Sequence, residues 1–409
     1  WNVKNTIGIA ASMIGLFMLI NFMFLRIGYA DKDETPSIAI LPFENKGAEA
    51  DEFYAYGISS DLIADVTSAG LIRVASLKDI EKLEYQDMET NALAKKLFVR
   101  YVAQGTLWKM DSVFQLSMEI FDTKESKVVY TKRWQTNWTD LATIKDDLSD
   151  NILETLEIKI LQDPEKQIVE SNPEAYEYYL RAKHKYEKRE TINDTEIARG
   201  LLNKAIELDV NLIKAKILLG ATYVSVGDYD MAMDIYTSAL KQAELNGDKR
   251  GIGSSLNNIG HIYYRKGEYD QALDHYNRSL KIMEELGDKS GIGAGLNSIG
   301  IIYGVKGEYD QTLDYFSRFL KISEELGNKS RIGMSLNNIG ALYKRKGEYD
   351  QALDHYNRAL KIREELGGKS AIGLSLNNIG AIHWEKGEYD QALDYFSRAL
   401  KLSEDLGDK

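Results

Sequence analysis

The chain has 409 residues, a formal net charge of −12, 44% hydrophobic and 28% charged residues, and no cysteine. That length exceeds what one hydrophobic core serves, and the composition is that of a folded protein, not a disordered one. The acidic balance, with no Lys/Arg stripe to oppose it, leads us to expect no nucleic-acid partner, and the missing cysteines exclude thiolate nucleophiles, disulfides and Cys-type zinc sites.

From Thr6 to Leu25 runs an uncharged apolar stretch bounded by Lys4 and Arg26. About 20 apolar residues cross the roughly 30 Å hydrocarbon core as a helix, so residues 6–28 predict a single-pass transmembrane helix. A cleaved signal peptide is the competing reading, because Gly28 and Ala30 precede Asp31 at suitable spacing; a signal's apolar core, however, is about 7–15 residues long. Lys4 on one side and Arg26 and Lys32 on the other do not orient the helix. The chain starts at Trp1 and stops at Lys409, where another repeat would begin, with no polar capping helix in sight. We read it as a segment of a longer protein.

Residues 37–160 predict a small α/β domain of order βαβαβββα. SIAILPF (37–43) reads as a buried strand ending at Pro42, 53–69 as a helix with Leu62, Ile63 and Val66 on one face and Gly70 closing it, and LIRVAS (71–76) as a second strand. A helix is expected over 90–98, then three alternating strands at 101–110, 113–122 and 127–136. Residues 139–158 close the unit as an amphipathic helix with Leu141, Ile144, Leu148, Ile152 and Leu156 in register.

The segments SIAILPFEN, YGISSDLIADVTSAGLIRVAS and YVAQGTLWKM through VVYTKRW resemble the TolB amino-terminal-like domain. That module occurs in membrane-anchored class III adenylate/guanylate cyclases, and a related one in membrane-bound transcription activators, between a transmembrane helix and tetratricopeptide repeats. The resemblance implies that the output domain lies upstream of Trp1 and that the C-terminal domains stand on the periplasmic or extracytoplasmic side.

GEYDQ recurs at Gly267, Gly307, Gly347 and Gly387, a strict 40-residue period. A period between 20 and 50 residues predicts a solenoid, since no single unit buries its own apolar face. We expect about six repeats over 174–409: degenerate ones over 174–208 and 212–245, then regular copies from Gly251, Gly291, Arg331 and Ala371. In the copy from Gly251, Leu256, Ile259, Gly260 and Tyr263 keep helical spacing on a first helix (A), and Ala272, Tyr276, Ser279 and Leu280 on a second (B). This spacing resembles the tetratricopeptide repeat, with Ser279 where alanine is usual and six extra residues, EELGDK, as in kinesin light chains. HYNR at His275 and His355 alternates with YFSR at Tyr315 and Tyr395, which suggests duplication of an 80-residue unit.

Helix A of such repeats lines a concave groove. Asn257 and Asn258, Asn297 and Ser298, Asn337 and Asn338, and Asn377 and Asn378 are candidates to clamp an extended peptide backbone, because each amide both donates and accepts. The alternative is that these amides stitch neighbouring helices together. One turn later the copies differ, with Tyr264 and Arg265, Gly304 and Val305, Lys344 and Arg345, and Trp384 and Glu385, and specificity could be written there. His275 and His355, on helix B, are not expected to bind a metal. The GEYD acids read as a turn-and-cap device, and GIGSSLNNIG lacks the dinucleotide-binding spacing. We therefore expect no catalytic, cofactor or metal site. The expected function is that of a membrane-anchored interaction scaffold or sensor in a bacterial cyclase-type regulator, holding a protein or peptide in its groove. A self-sufficient cell-envelope assembly or transport protein is the alternative.

Overall fold

Strand β1 (Ser37–Ile40) sends alternate side chains into two buried layers: Ile38 and Ile40 enter one core, while Ala39 and the following Leu41 enter the other. A strand buried on both faces reads as a continuous apolar run, as SIAIL does. The computed structural model describes residues 36–70, 72–83, 85–137, 140–156 and 172–405. The apolar run at 6–28 and the expected boundary near Pro164 lie outside them. Among the described residues no helix is long and apolar enough to cross a membrane.

The remaining strands are β2 (Glu44–Asn45), β3 (Arg73–Val74), β4 (Tyr101–Met110), β5 (Val113–Asp122) and β6 (Lys127–Asn137). Their order is β3-β1-β4-β5-β6, with β1 parallel to both neighbours, β2 added parallel to β4, and an antiparallel meander from β4 to β6. Helices α1 (Glu52–Ser68) and α4 (Leu141–Thr155) cover one face of the sheet, and α2 (Leu77–Glu81) and α3 (Thr90–Leu97) the other. The second expected strand shrinks to two residues, and the closing helix is shorter than expected at both ends. Neither α2 nor β2 was expected. Helix α2 is little more than one turn, started by the Ser76 hydroxyl accepting from the Asp79 N–H at 3.2 Å. An element that short leaves no periodicity to read.

Twelve helices follow: α5 (Pro173–Glu187), α6 (Ile192–Leu208), α7 (Ile213–Val224), α8 (Tyr229–Asn246), α9 (Lys249–Lys266), α10 (Tyr269–Leu286), α11 (Lys289–Lys306), α12 (Tyr309–Glu325), α13 (Lys329–Lys346), α14 (Tyr349–Leu366), α15 (Lys369–Glu385) and α16 (Tyr389–Glu404). They pair into the six expected repeats. The A and B helices cross where a small residue faces a ring: a Cβ added at Gly260 would lie 2.9 Å from Tyr276. A second ring pair closes each regular repeat, Tyr263 on His275 at 5.1 Å, Tyr303 on Tyr315 at 5.4 Å, Tyr343 on His355 at 5.3 Å and His383 on Tyr395 at 5.4 Å. His275 and His355 are thus packed against tyrosines inside their repeats.

The acids flanking the turns divide their work. Asp248, Asp288 and Asn328 cap the A helices, accepting from the N–H groups of Gly251, Gly291 and Arg331 at 2.8, 2.9 and 3.0 Å. The B helices start at Glu268, Glu308, Glu348 and Glu388 with no side-chain cap, so the GEYD acids do not cap as expected. Instead the aspartates tie repeats together, with Asp230, Asp270 and Asp350 pairing with Lys266, Lys306 and Lys386 of the following repeat at 2.7, 3.0 and 2.9 Å.

Residues from Ser37 onward form one unit. A continuous core runs from the sheet through α1 into α5, α6 and α7, which explains why α1 is buried on nearly every side and not along one stripe.

Candidate partner-binding groove

The A helices of repeats one to four contact one another in turn, and no B helix makes a comparable contact with the next B helix. The A helices therefore line the inner face of the curve. On that face Asn338 donates from its amide to the Oδ1 of Asn297 at 2.9 Å, and Asn378 to Asn337 at 2.8 Å. The second asparagine of one repeat stitches the first asparagine of the repeat before it. The series breaks once, because the partner position for Asn257 holds Ser298. The Asn257 Oδ1 is accordingly buried with no hydrogen-bond partner. Asn258 and Asn377 make no such stitch.

The variable positions are less alike than their spacing suggests. The Arg265 Nε donates to the Tyr229 hydroxyl at 2.9 Å, and Arg345 to the Gly304 carbonyl at 2.9 Å, so both guanidinium groups are held by the preceding repeat. Lys344 is half-buried, and Tyr264 lies 6.1 Å from the Tyr269 ring. Trp384 rests edge-on against Tyr389 at 5.0 Å and stays 59% exposed. Val305, Met334 and Leu374 are also exposed, which makes repeats four to six the apolar part of the inner face. His261 is half-buried there, and its burial, then the Arg265 charge, holds its imidazole below the usual histidine range.

Sequence reasoning missed a buried carboxylate at the joint between α1 and the repeats. Asp61 is 2% exposed; Tyr176 donates to it at 3.0 Å, Tyr179 at 3.4 Å and Lys183 at 2.7 Å, and the Lys214 ammonium lies 3.6 Å away. Burial alone would lower the Lys183 ammonium, but the Asp61 carboxylate and the Tyr179 hydroxyl hold it above the usual lysine range. Burial, reinforced by Asp61, pushes the Tyr176 hydroxyl well up. The available signal was an acid inside an apolar helical run, ISSDLIADV. Among the described residues no group of three or more His, Asp or Glu is placed to hold a metal ion.

The family model for the tetratricopeptide repeat matches residues 212–285, 292–365 and 331–405. The C-terminal solenoid is built of tetratricopeptide repeats. A curated relative, the Rhizobium meliloti (strain 1021) protein named "Putative adenylate cyclase 3", is 22% identical over 184 residues, which cover 44% of this chain and 31% of that protein. The chain thus spans under a third of the length of that relative. Among solved structures, the signal transduction ATPase with a tetratricopeptide repeat sensor from Pyrococcus horikoshii aligns with a TM-score of 0.50 at 17% identity, over 66% of this chain and 44% of that one. A Rap protein complexed with competence and sporulation factor aligns with a TM-score of 0.44 at 15% identity, over 63% and 81%. The repeat fold is shared with the Pyrococcus horikoshii structure, and the small α/β region precedes it here.

Proposed function

We propose that this chain is the interaction and sensing region of a membrane-anchored bacterial signalling protein of the adenylate-cyclase type, and that its repeats hold a peptide or protein in the groove. The observation that carries the binding reading is the inner face itself. It has an asparagine row stitched across repeats four to six and, beside it, side chains that differ from copy to copy: half-buried Tyr264 and Lys344 and exposed Trp384. Side-chain amides in a row, each both donor and acceptor, suit the backbone of an extended chain, and the variable side chains suit pockets for its residues. The cyclase connection is supported by the name of the curated relative and by the α/β segments resembling the TolB amino-terminal-like domain. Residues 6–28 supply the anchor in this reading, the C-terminal domains stand outside the cytoplasm, and the region works without catalysis of its own.

Selecting peptides displayed on phage against the full chain in detergent tests the groove. Recovered sequences should lose at least tenfold in affinity when Lys344 and Trp384 are replaced by alanine, with thermal stability unchanged. Binding that survives those changes would place the partner elsewhere.

A further inference from the structure

The α/β domain touches the repeat array in two separate places, and the two contacts differ in kind. The first is the apolar joint at repeats one and two, where a Cβ added at Gly57 would lie 2.7 Å from Leu180 and Asp61 is fully enclosed. The second is small and polar, and it falls on the turns that enter repeats four, five and six. There Gly70 lies against the Gly287 carbonyl, and the Arg73 guanidinium fills the space above Gly327. The Lys329 ammonium sits 3.1 Å from the centre of the Phe98 ring. Ser76, Asp79 and Lys96 face Asn328 and Leu366 across a small cavity.

Three features mark this second contact as built and releasable. Phe98, Gly70 and Gly327 all have left-handed backbones, with φ of 56°, 70° and 55°. For a bulky residue such as Phe98 that conformation is an outlier, held only where the surroundings impose it. The repeat turns at Gly227, Gly267, Gly307, Gly347 and Gly387 have open space where a Cβ would stand, whereas a Cβ at Gly327 would fall inside the Arg73 side chain. Asp79 Oδ1 is buried there with no hydrogen bond, only the Lys82 ammonium 3.6 Å away on its own element, whereas Asp61 is hydrogen-bonded across its joint, so the second seat is the more loosely held.

We propose that the α/β domain is a clamp: anchored at repeats one and two, it grips the turns of repeats four to six and thereby fixes the curvature and width of the groove. A rigid body bound at two points along a solenoid cannot keep both contacts if the pitch between them changes, because each repeat rotates slightly on its neighbour. Groove occupancy and clamp closure are then linked reciprocally, and a partner preferring a different curvature releases the clamp. This regulation rests on the groove reading above, but its test needs no partner.

The chain has no cysteine, so engineered pairs report cleanly. Spin labels on the exposed positions of K95C and E364C report the clamp, and labels on V305C and E385C report the groove span of repeats four to six. Gly327→Ala should move both distance distributions beyond their native widths. Gly347→Ala, equally left-handed with φ of 75° and nothing near it, should move neither. Lys329→Gln, which removes the cation over Phe98 together with its ion pair to Glu365, should reproduce the Gly327→Ala shift in both, whereas Glu365→Gln, which removes that ion pair alone, should move neither. A clamp distance that stays fixed in both Gly327→Ala and Lys329→Gln, or one that lengthens while the groove span stays unchanged, overturns the proposal. Neither result bears on whether the groove binds a peptide, which the displayed-peptide selection decides separately.

Discussion

Replacing Asp61 with asparagine keeps the shape of the joint and removes only its charge. The change strands the Lys183 ammonium, whose side chain is 11% exposed, and deprives it of a 2.7 Å partner. Breaking a buried ion pair by removing one member typically costs about 3–5 kcal/mol. A ceiling follows from titration: Lys183 can escape by releasing its proton, which at pH 7 costs about 1.36 kcal/mol for each unit below an ordinary value near 10.4, roughly 4.6 kcal/mol in all. Asparagine still accepts from Tyr176, so the loss should sit near 3 kcal/mol, the lower end of that range. Because the α/β core is continuous with the first two repeats, the loss should fall on their common transition. At about 2–4 °C per kcal/mol for a unit of this size, the midpoint should drop by on the order of 10 °C, while the transition of the regular repeats stays put. Calorimetry on the two proteins reads both transitions. The double variant Asp61→Leu/Lys183→Met should recover most of the loss, since no charge is then left buried. A single variant costing under about 1 kcal/mol would mean that water reaches the joint, and the argument from burial would be wrong.

The asparagine stitches should be visible in stability: Asn338→Ala with Asn378→Ala should cost about 1–3 kcal/mol in urea titrations, from two hydrogen bonds at about 0.5–1.5 kcal/mol each. The converse change Ser298→Asn supplies the donor that the Asn257 Oδ1 lacks while giving up the Ser298 hydrogen bond to Tyr276; its effect should be more favourable by up to about 1 kcal/mol beside Asn257 than in an Asn257→Ala background, and no difference between the two would refute the stitch geometry. His184 and His261 are both held below the usual range, first by burial, then by Lys188 and Lys185 for the former and by Arg265 for the latter. Both are neutral in the folded and the unfolded chain above about pH 6.5, so stability is fully present there and should fall as pH drops through their depressed values; the urea midpoint at pH 5 should lie below that at pH 7.5, and less so in His184→Asn/His261→Asn.

The repeats were legible because duplication writes the same packing rule several times: Gly260 against Tyr276 recurs as Gly300 against Phe316, Gly340 against Tyr356 and Gly380 against Phe396. The α/β strands were legible for a different reason, since β5 alternates buried and half-buried positions along its length. What stayed hidden depends on partners distant in sequence. Asp61 meets Tyr176 and Lys183, which lie more than a hundred residues away, and Arg73 meets Gly327. No local pattern encodes such a meeting. The asparagines stood between: their spacing marked the inner face, but only coordinates show that one amide of a pair reaches across to the repeat before it.

This division bears on where specificity can reside. On the peptide-binding reading proposed above, the amide row, tied to itself at Asn297–Asn338 and Asn337–Asn378 and broken at Ser298, meets the backbone of a bound chain. On that reading, discrimination between partners falls to the positions that differ between the copies. Two of these, Arg265 and Arg345, are already engaged with Tyr229 and Gly304. Among the others, Lys344 and Trp384, one cationic and one large and apolar, lie on the A helices of repeats five and six. These are the repeats whose entering turns the α/β domain grips. On these two proposals recognition and its control meet at the same end of the array, so a change at Gly327, in the turn that enters repeat five, should be felt in the groove.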